Sequence, residues 1–470
     1  LVKKNVVKPA GFSYFHSQLH HMVPGQTGFA LRRVERETRK HNKQTKQHRR
    51  NQMKFNKWTM GLAAVGVVSL ASAARADEKM SQVQTALSNT TLSGYVDTSA
   101  MWQIGQQNGG NIPKYTPGGV ASDGFNLNSI DLALDKPLDE SPWAAGYHAE
   151  LMFGPDAVPG SVTTTQISAG RGRSTTVTSA NSSTAIRQAY LTLRTPLGNS
   201  GIDWKVGVFD SILGYESTSD GLNPNYTRSY GYMLEPTTLT GVLGTYKVND
   251  SIAFSAGVAD TANGLDNRAK WETQKAYLGS IALTAPDSWG WAKGATLNAG
   301  VINGDSGSVN SDNSTTGYGQ TSWYAGVVVP TPLTALKMGA AFDYLELHNG
   351  GSNVGNSSDD SAYDVALYGN YQYNDKLSFN LRGEYLNNGI NGDGLYPFVG
   401  THRYGPHEPN SAEEVTATVS YQLWANVLSR VEFRWDHVSH GDSFDATSST
   451  NSRADRDNAF LLALNLIYQF

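Results

Sequence analysis

From Thr91 to Phe470, large apolar side chains recur at every second position in runs of about ten residues, separated by polar connections. A period of two sends alternate side chains to opposite faces of a β-strand. The last run is the clearest. Phe460, Leu462, Leu464, Leu466, Tyr468 and Phe470 share one face, while Ala459, Leu461, Ala463, Asn465, Ile467 and Gln469 share the other. The first run, 91–103, sets Leu92, Val96, Ala100 and Trp102 against Tyr95, Asp97 and Ser99. A soluble sheet rarely places its most apolar strand at a chain end. A transmembrane barrel does, because its last strand closes on its first.

The connections sort by length. Long polar ones lie near 105–123, 155–183, 211–234, 260–272, 303–319, 347–361, 387–412 and 438–456. Short ones alternate with them, near 136–142, 195–200, 248–250, 285–294, 330–333, 374–376 and 424–426. Eight long and seven short connections predict an all-β fold: a transmembrane antiparallel up-and-down β-barrel of about 16 strands. Short periplasmic turns, long extracellular loops and both chain ends on the periplasmic side follow from that count. Trp143, Trp204, Trp323, Tyr373, Tyr385, Trp424 and Trp435 stand at strand ends, as an interfacial girdle requires.

If the apolar face meets lipid, the other face meets water inside the barrel. It collects Asp97, Asp131, His148, Glu150, Lys337, Asp343, Asp364, Arg382 and Glu384, and then the ladder Arg430-x-Glu432-x-Arg434-x-Asp436. About 16 strands leave room for water, whereas ~8 are filled by side chains. These residues are therefore expected to line a pore. The ladder either orients water and polar solutes across the lumen or braces the wall by charge pairing. The connection 211–234 differs from the Ser/Asn/Gly-rich loops. It carries Tyr215, Tyr226, Arg228, Tyr230 and Tyr232, with Glu235 next, and is expected to fold inward and narrow the pore.

Composition alters the picture at the N-terminus. Lys54 and Lys57, the short apolar run 60–74 and Ala74-Arg75-Ala76 have the order of a secretory signal peptide, 53–76, cleaved before Asp77. Residues 1–52 read as a mistranslated upstream or disordered basic extension, and 77–90 as a short periplasmic segment ahead of a barrel spanning 91–470. The first 76 residues hold 15 of the 37 Lys and Arg but 2 of the 41 acidic residues, so the remainder has a net charge near −17. So acidic a chain argues against a nucleic-acid partner and suggests mild cation preference. There is no cysteine, which excludes disulfides and thiolate chemistry. The pattern implies no cofactor and no metal; Asn303-Gly304-Asp305 and Ser358-Asp359-Asp360 lack calcium-loop spacing and read as solvated loops.

The chain resembles the OmpL-like β-barrel porins of Gram-negative bacteria. The carrying residues are Gly94-Tyr95-Val96-Asp97-Thr98-Ser99, Leu132-Ala133-Leu134-Asp135-Lys136-Pro137, Leu151-Met152-Phe153-Gly154-Pro155-Asp156-Ala157, Gln188-Ala189-Tyr190, Lys205-Val206-Gly207, Gly214-Tyr215-Glu216, Thr227-Arg228-Ser229-Tyr230 and Glu235-Pro236. The resemblance implies an outer-membrane barrel with porin activity and no catalytic residues. The terminal pair Tyr468 and Phe470 is similar to the signal that the barrel-insertion machinery reads. Expected partners are outer-membrane lipid, that machinery, small hydrophilic solutes and, by analogy with barrels of this size, two further copies in a homotrimer.

The leading expectation is a passive, water-filled channel rather than an enzyme. A binding or adhesion protein acting through its outer loops is the alternative. A barrel-borne hydrolase ranks below both: His148, His437, His440 and many serines exist, but no G-x-S-x-G does.

Overall fold

The computed structural model describes residues 83–84, 89–104, 123–157, 163–169, 173–179, 184–198, 200–262, 275–305, 319–348, 360–390, 410–440 and 458–470. The proposed leader and basic extension lie outside them. Sixteen strands form one ring: β1 Thr91–Ile104, β2 Gly124–Lys136, β3 Ala145–Phe153, β4 Thr184–Thr195, β5 Ile202–Asp210, β6 Thr238–Lys247, β7 Ile252–Ala259, β8 Ala276–Thr284, β9 Thr296–Asp305, β10 Gly319–Pro330, β11 Leu336–His348, β12 Asp360–Gln372, β13 Leu377–Asn388, β14 Asn410–Trp424, β15 Val427–His440 and β16 Asn458–Gln469. Each pairs antiparallel with the next.

The ring is closed by β16 on β1, in register from Phe460↔Ile104 to Gln469↔Tyr95. Two backbone hydrogen bonds extend the closure by one residue: Gly94 N–H to Phe470 O, 3.1 Å, and Phe470 N–H to Gly94 O, 3.0 Å. Val83–Gln84 pairs with Thr91 and Leu92 just before the ring begins. A closed ring leaves no ladder edge, the condition for β-structure in lipid.

Parity decides which face each residue takes. Leu151, Leu191, Phe254, Leu367, Leu381, Phe433 and Leu464 are exposed on the outside, a surface made for hydrocarbon. Aromatic side chains are exposed near both ends of this band, with Trp143, Tyr373 and Trp424 at the short-turn end and Tyr277 and Trp323 toward the long-loop end. The inner face is less uniformly polar than alternation suggests. Leu243, Leu278, Ile302, Leu345, Leu461 and Ile467 point inward and are buried. They are covered from within, as described below.

Four further departures stand out. The connection after β3 contains its own two-stranded hairpin, Thr163–Ala169 with Arg173–Ser179, in a Thr-, Ile- and Val-bearing stretch suited to strands. A β-bulge between Asp97/Thr98 inserts Asn128 into β2. Another, at Glu150/Leu151, inserts Arg187 into β4. Strict alternation assigns both to the lipid face, yet both are buried. The extra residue turns each side chain inward. Finally, Asn303-Gly304-Asp305, read above as a solvated loop, completes β9, and Asp305 is buried.

Candidate functional site

The segment between β5 and β6, residues 211–237, is built from turns that need few neighbours. Ser211 Oγ accepts from Leu213 N–H at 3.1 Å. Gly214 has φ +130°, and a Cβ there would stand 2.6 Å from Glu235 Oε2. Only glycine suits such a position. Asn223 closes the next turn: its Oδ1 accepts from Ser217 N–H at 2.7 Å and its Nδ2 donates to Ser217 O at 2.6 Å. Ser229 then caps a one-turn helix, α1 (Tyr230–Leu234), accepting from Tyr232 N–H at 2.9 Å.

This segment touches the inward faces of strands distributed around the ring, so it lies within the barrel. Its first part is apolar. Ile212, Leu213 and Tyr215 pack on the inner wall of β6 to β12, and Tyr215 stacks on Tyr368 with ring centres 4.0 Å apart. Tyr226, Tyr230 and Leu234 pack on a second apolar area that includes Met101, Leu345 and Leu461. Burial of this surface drives the segment inward.

Between the apolar areas the wall recognises the segment's backbone. Arg382 is fully buried. Its Nη1 donates to Thr227 O and to Glu216 Oε1, both at 2.8 Å, and Nη2 donates to Arg228 O at 3.1 Å. Glu384 and Glu414 flank the same guanidinium at 2.6 and 3.2 Å. On β15 the ladder continues the pattern. Arg430 donates to Asp220 O at 2.7 Å, and Arg434 donates to Arg228 O at 2.6 Å. Glu432 accepts from the amides of Tyr226 and Thr227. Tyr230 donates its hydroxyl proton to Asp436. Alternating cations and anions thus match alternating carbonyls and amides of the segment. Tyr226 Oη reaches Ser99 Oγ at 3.0 Å, and Ser99 donates to Asn128, the bulge residue, at 2.9 Å.

The opposite arc of the wall, β2 to β5, carries another cluster. His148 bridges Asp135 at 3.1 Å and Glu150 at 3.2 Å, and its ring stacks on Tyr190. Lys205 lies 4.8 Å above the Tyr190 ring. Arg187 pairs with Asp210.

Asp97, Asp131, Glu150, Asp343, Arg382, Glu384, Arg430, Glu432, Arg434 and Asp436 all point inward, but all are buried, whereas Lys337 keeps part of its surface. Asp131 and Glu150 belong to the β2–β5 arc; the others named here, Lys337 aside, meet the inner segment or its anchors. Tyr226, Arg228 and Tyr230 are buried in that segment, and Tyr232 is half-buried on it. Tyr468 lies on the outside, its ring 6.5 Å from that of Phe470. Alternation alone overlooks Glu216, Asp220, Glu235, Glu414 and Arg187. Of these, Glu414 is in phase with Arg382 and Glu384 across β13 and β14, and Glu216 and Glu235 stand in the motifs that carry the family resemblance. Among the described residues, Asp97, Asp156 and Asp220 each bring a carboxylate oxygen within 4.8 Å of the others, which could hold a cation. Arg228 already meets Asp220 at 2.7 Å.

Sixteen closed strands, an apolar exterior and an inward-folded segment define an outer-membrane channel of the porin class. The chain belongs to the family described as "Putative beta-barrel porin-2, OmpL-like", whose model matches residues 89–470. In fold it is similar to the outer membrane channel DcaP of Acinetobacter baumannii (TM-score 0.51, 15% identity, 83% of this chain and 99% of that one). It is also similar to OmpF of Salmonella typhi in complex with daunomycin (0.51, 11%, 83% and 100%) and to an anion-selective porin from Comamonas acidovorans (0.50, 10%, 81% and 99%). No curated protein sequence matches it.

Proposed function

We propose that this channel passes small hydrophilic solutes by passive diffusion and that residues 211–237 form its constriction. The observation that carries this reading is a loop held inside a closed ring of sixteen strands by buried ion pairs. Leu222 is exposed and Tyr232 half-buried on that loop, and solutes would pass these side chains. Most inward carboxylates are covered by the loop, so the net negative charge of the chain is not the charge a permeating ion meets. Lys205 and Lys337 keep part of their surface, as do Asp135 and Asp210, and a cation preference is not part of this proposal.

Residues 53–76 direct export and are removed before Asp77, Tyr468 and Phe470 guide insertion, and the assembled form is a homotrimer. The geometry at His348 offers no support for a hydrolase. His348 Nε2 lies 3.2 Å from Thr321 Oγ1, but the nearby Glu346 faces that same nitrogen at 3.9 Å, so it cannot orient the ring from the far side as a triad needs.

Planar-bilayer recordings of the refolded chain from Asp77 onward test the function. Stepwise conductance, reduced by sugars below a size threshold and not above it, is expected. Absence of conductance in correctly folded barrels would reject the channel reading.

A further inference from the structure

The contact between loop and wall buries more negative than positive charge. Around the loop lie Asp97, Glu216, Asp220, Glu235, Asp343, Asp364, Glu384, Glu414, Glu432 and Asp436, against Arg228, Arg382, Arg430 and Arg434. The imbalance is sharpest under α1. Asp343 and Asp364 face each other across β11 and β12. Both are buried, and Asp343 Oδ1 with both oxygens of Asp364 make no hydrogen bond among the described residues. Gly231 of α1 seals them: a Cβ there would stand 2.5 Å from Asp343 Oδ2 and 3.1 Å from Asp364 Oδ2. Glu235, at the end of α1, is hydrogen-bonded to Asp343. Two carboxyl groups can share a hydrogen bond only if one carries a proton.

The surrounding groups do not supply the missing positive charge. The loop adds Glu216 and Tyr215, β10 adds Tyr324, β12 adds Tyr368, β13 adds Glu384, and β14 adds Glu414. Among the described residues, the one cation facing the cluster, Arg382, already serves Glu216, Glu384 and Glu414.

We propose that Glu235, Asp343 and Asp364 form a proton-operated latch: the docked loop holds at least one proton in this cluster, and loss of that proton releases α1 from the wall. Burial, with Asp343 and Glu216 alongside, pushes the Glu235 carboxyl well above the usual carboxylate range. A group raised in the docked state favours docking at low pH, and that contribution is lost as pH rises through the raised value. The latch therefore closes in acid and loosens as pH rises through that raised value. It rests on the reading of 211–237 as the constriction only for its effect on current.

The chain has no cysteine, so a spin label on Leu222→Cys, an exposed loop position, reports docking directly. The label is expected to be immobile at pH 5 and several-fold more mobile at pH 9, with conductance rising in parallel. Asp343→Asn with Asp364→Asn, or Glu235→Gln alone should the double variant fail to insert, is expected to hold the label immobile across the range. A label that does not respond to pH, or variants that respond as the parent does, would overturn the latch. Label motion without a change in conductance would leave the latch standing and refute the constriction instead.

Discussion

Among the described residues, Arg382 joins more of the interior than any other side chain. It binds three carboxylates and two loop carbonyls from a site closed to water. Replacing it by alanine strands Glu216, Glu384 and Glu414 without their common partner. Breaking a buried ion pair on one side costs about 3–5 kcal/mol, enough to reverse the docking of one loop. Arg382→Ala should free the label on Leu222→Cys even at pH 5, while Arg382→Lys should only partly rescue, because an ammonium cannot reproduce the guanidinium fork. An immobile label in the alanine variant would show that the apolar contacts suffice. Lys205 tests the proposed channel at the same scale. It stands 4.8 Å over the Tyr190 ring, with Asp210 and Asp135 as its nearest charges. Lys205→Glu should move the reversal potential in a salt gradient toward cation selectivity, with conductance changed little; an unmoved potential would place the passage elsewhere.

At the scale of elements, strands and connections were legible because a barrel in lipid enforces alternation on every strand. What alternation cannot show is a residue that breaks phase. Asn128 and Arg187 sit in bulges, and bulges leave no period-two mark. Nor can it show what covers the inner wall. Leu243, Leu278 and Ile302 look misplaced in a lumen until Ile212, Leu213 and Tyr215 lie over them. The aromatic content of 211–234 hinted at that fold, but its anchors are remote in sequence: Arg382 is 166 positions from Glu216, and Arg434 is 206 from Arg228. Deleting 217–229 removes the charged tip while sparing the apolar entry and α1. Single-channel conductance should rise at least about twofold, as expected when the narrowest section of an aqueous pore is widened. Unchanged conductance would mean that the tip does not limit the passage. The barrel itself should survive, because its ring of strand pairs does not include the loop.

The whole molecule depends on a closure made by the last strand and completed by the last residue. Without Phe470, the two backbone bonds to Gly94 are lost, and so is the ring that lies 2.9 Å from where a side chain on Gly94 would begin. Neutral backbone hydrogen bonds contribute about 0.5–1.5 kcal/mol each, small beside sixteen paired strands, so the finished barrel should tolerate the loss. Assembly should not. The ring closes only when β16 meets β1, and until then both strands present open edges that lipid cannot satisfy. Phe470 is in phase with Tyr468 and Leu466 and bonds to Gly94 where that closure is made. Truncation at Gln469 should therefore lower the amount of protein reaching the outer membrane several-fold, while channels that do insert keep the parent's conductance and pH response. Quantifying membrane-inserted protein beside single-channel records separates the two effects. Normal outer-membrane levels would show that the strand pairs Phe460↔Ile104 to Gln469↔Tyr95 are enough to guide closure by themselves.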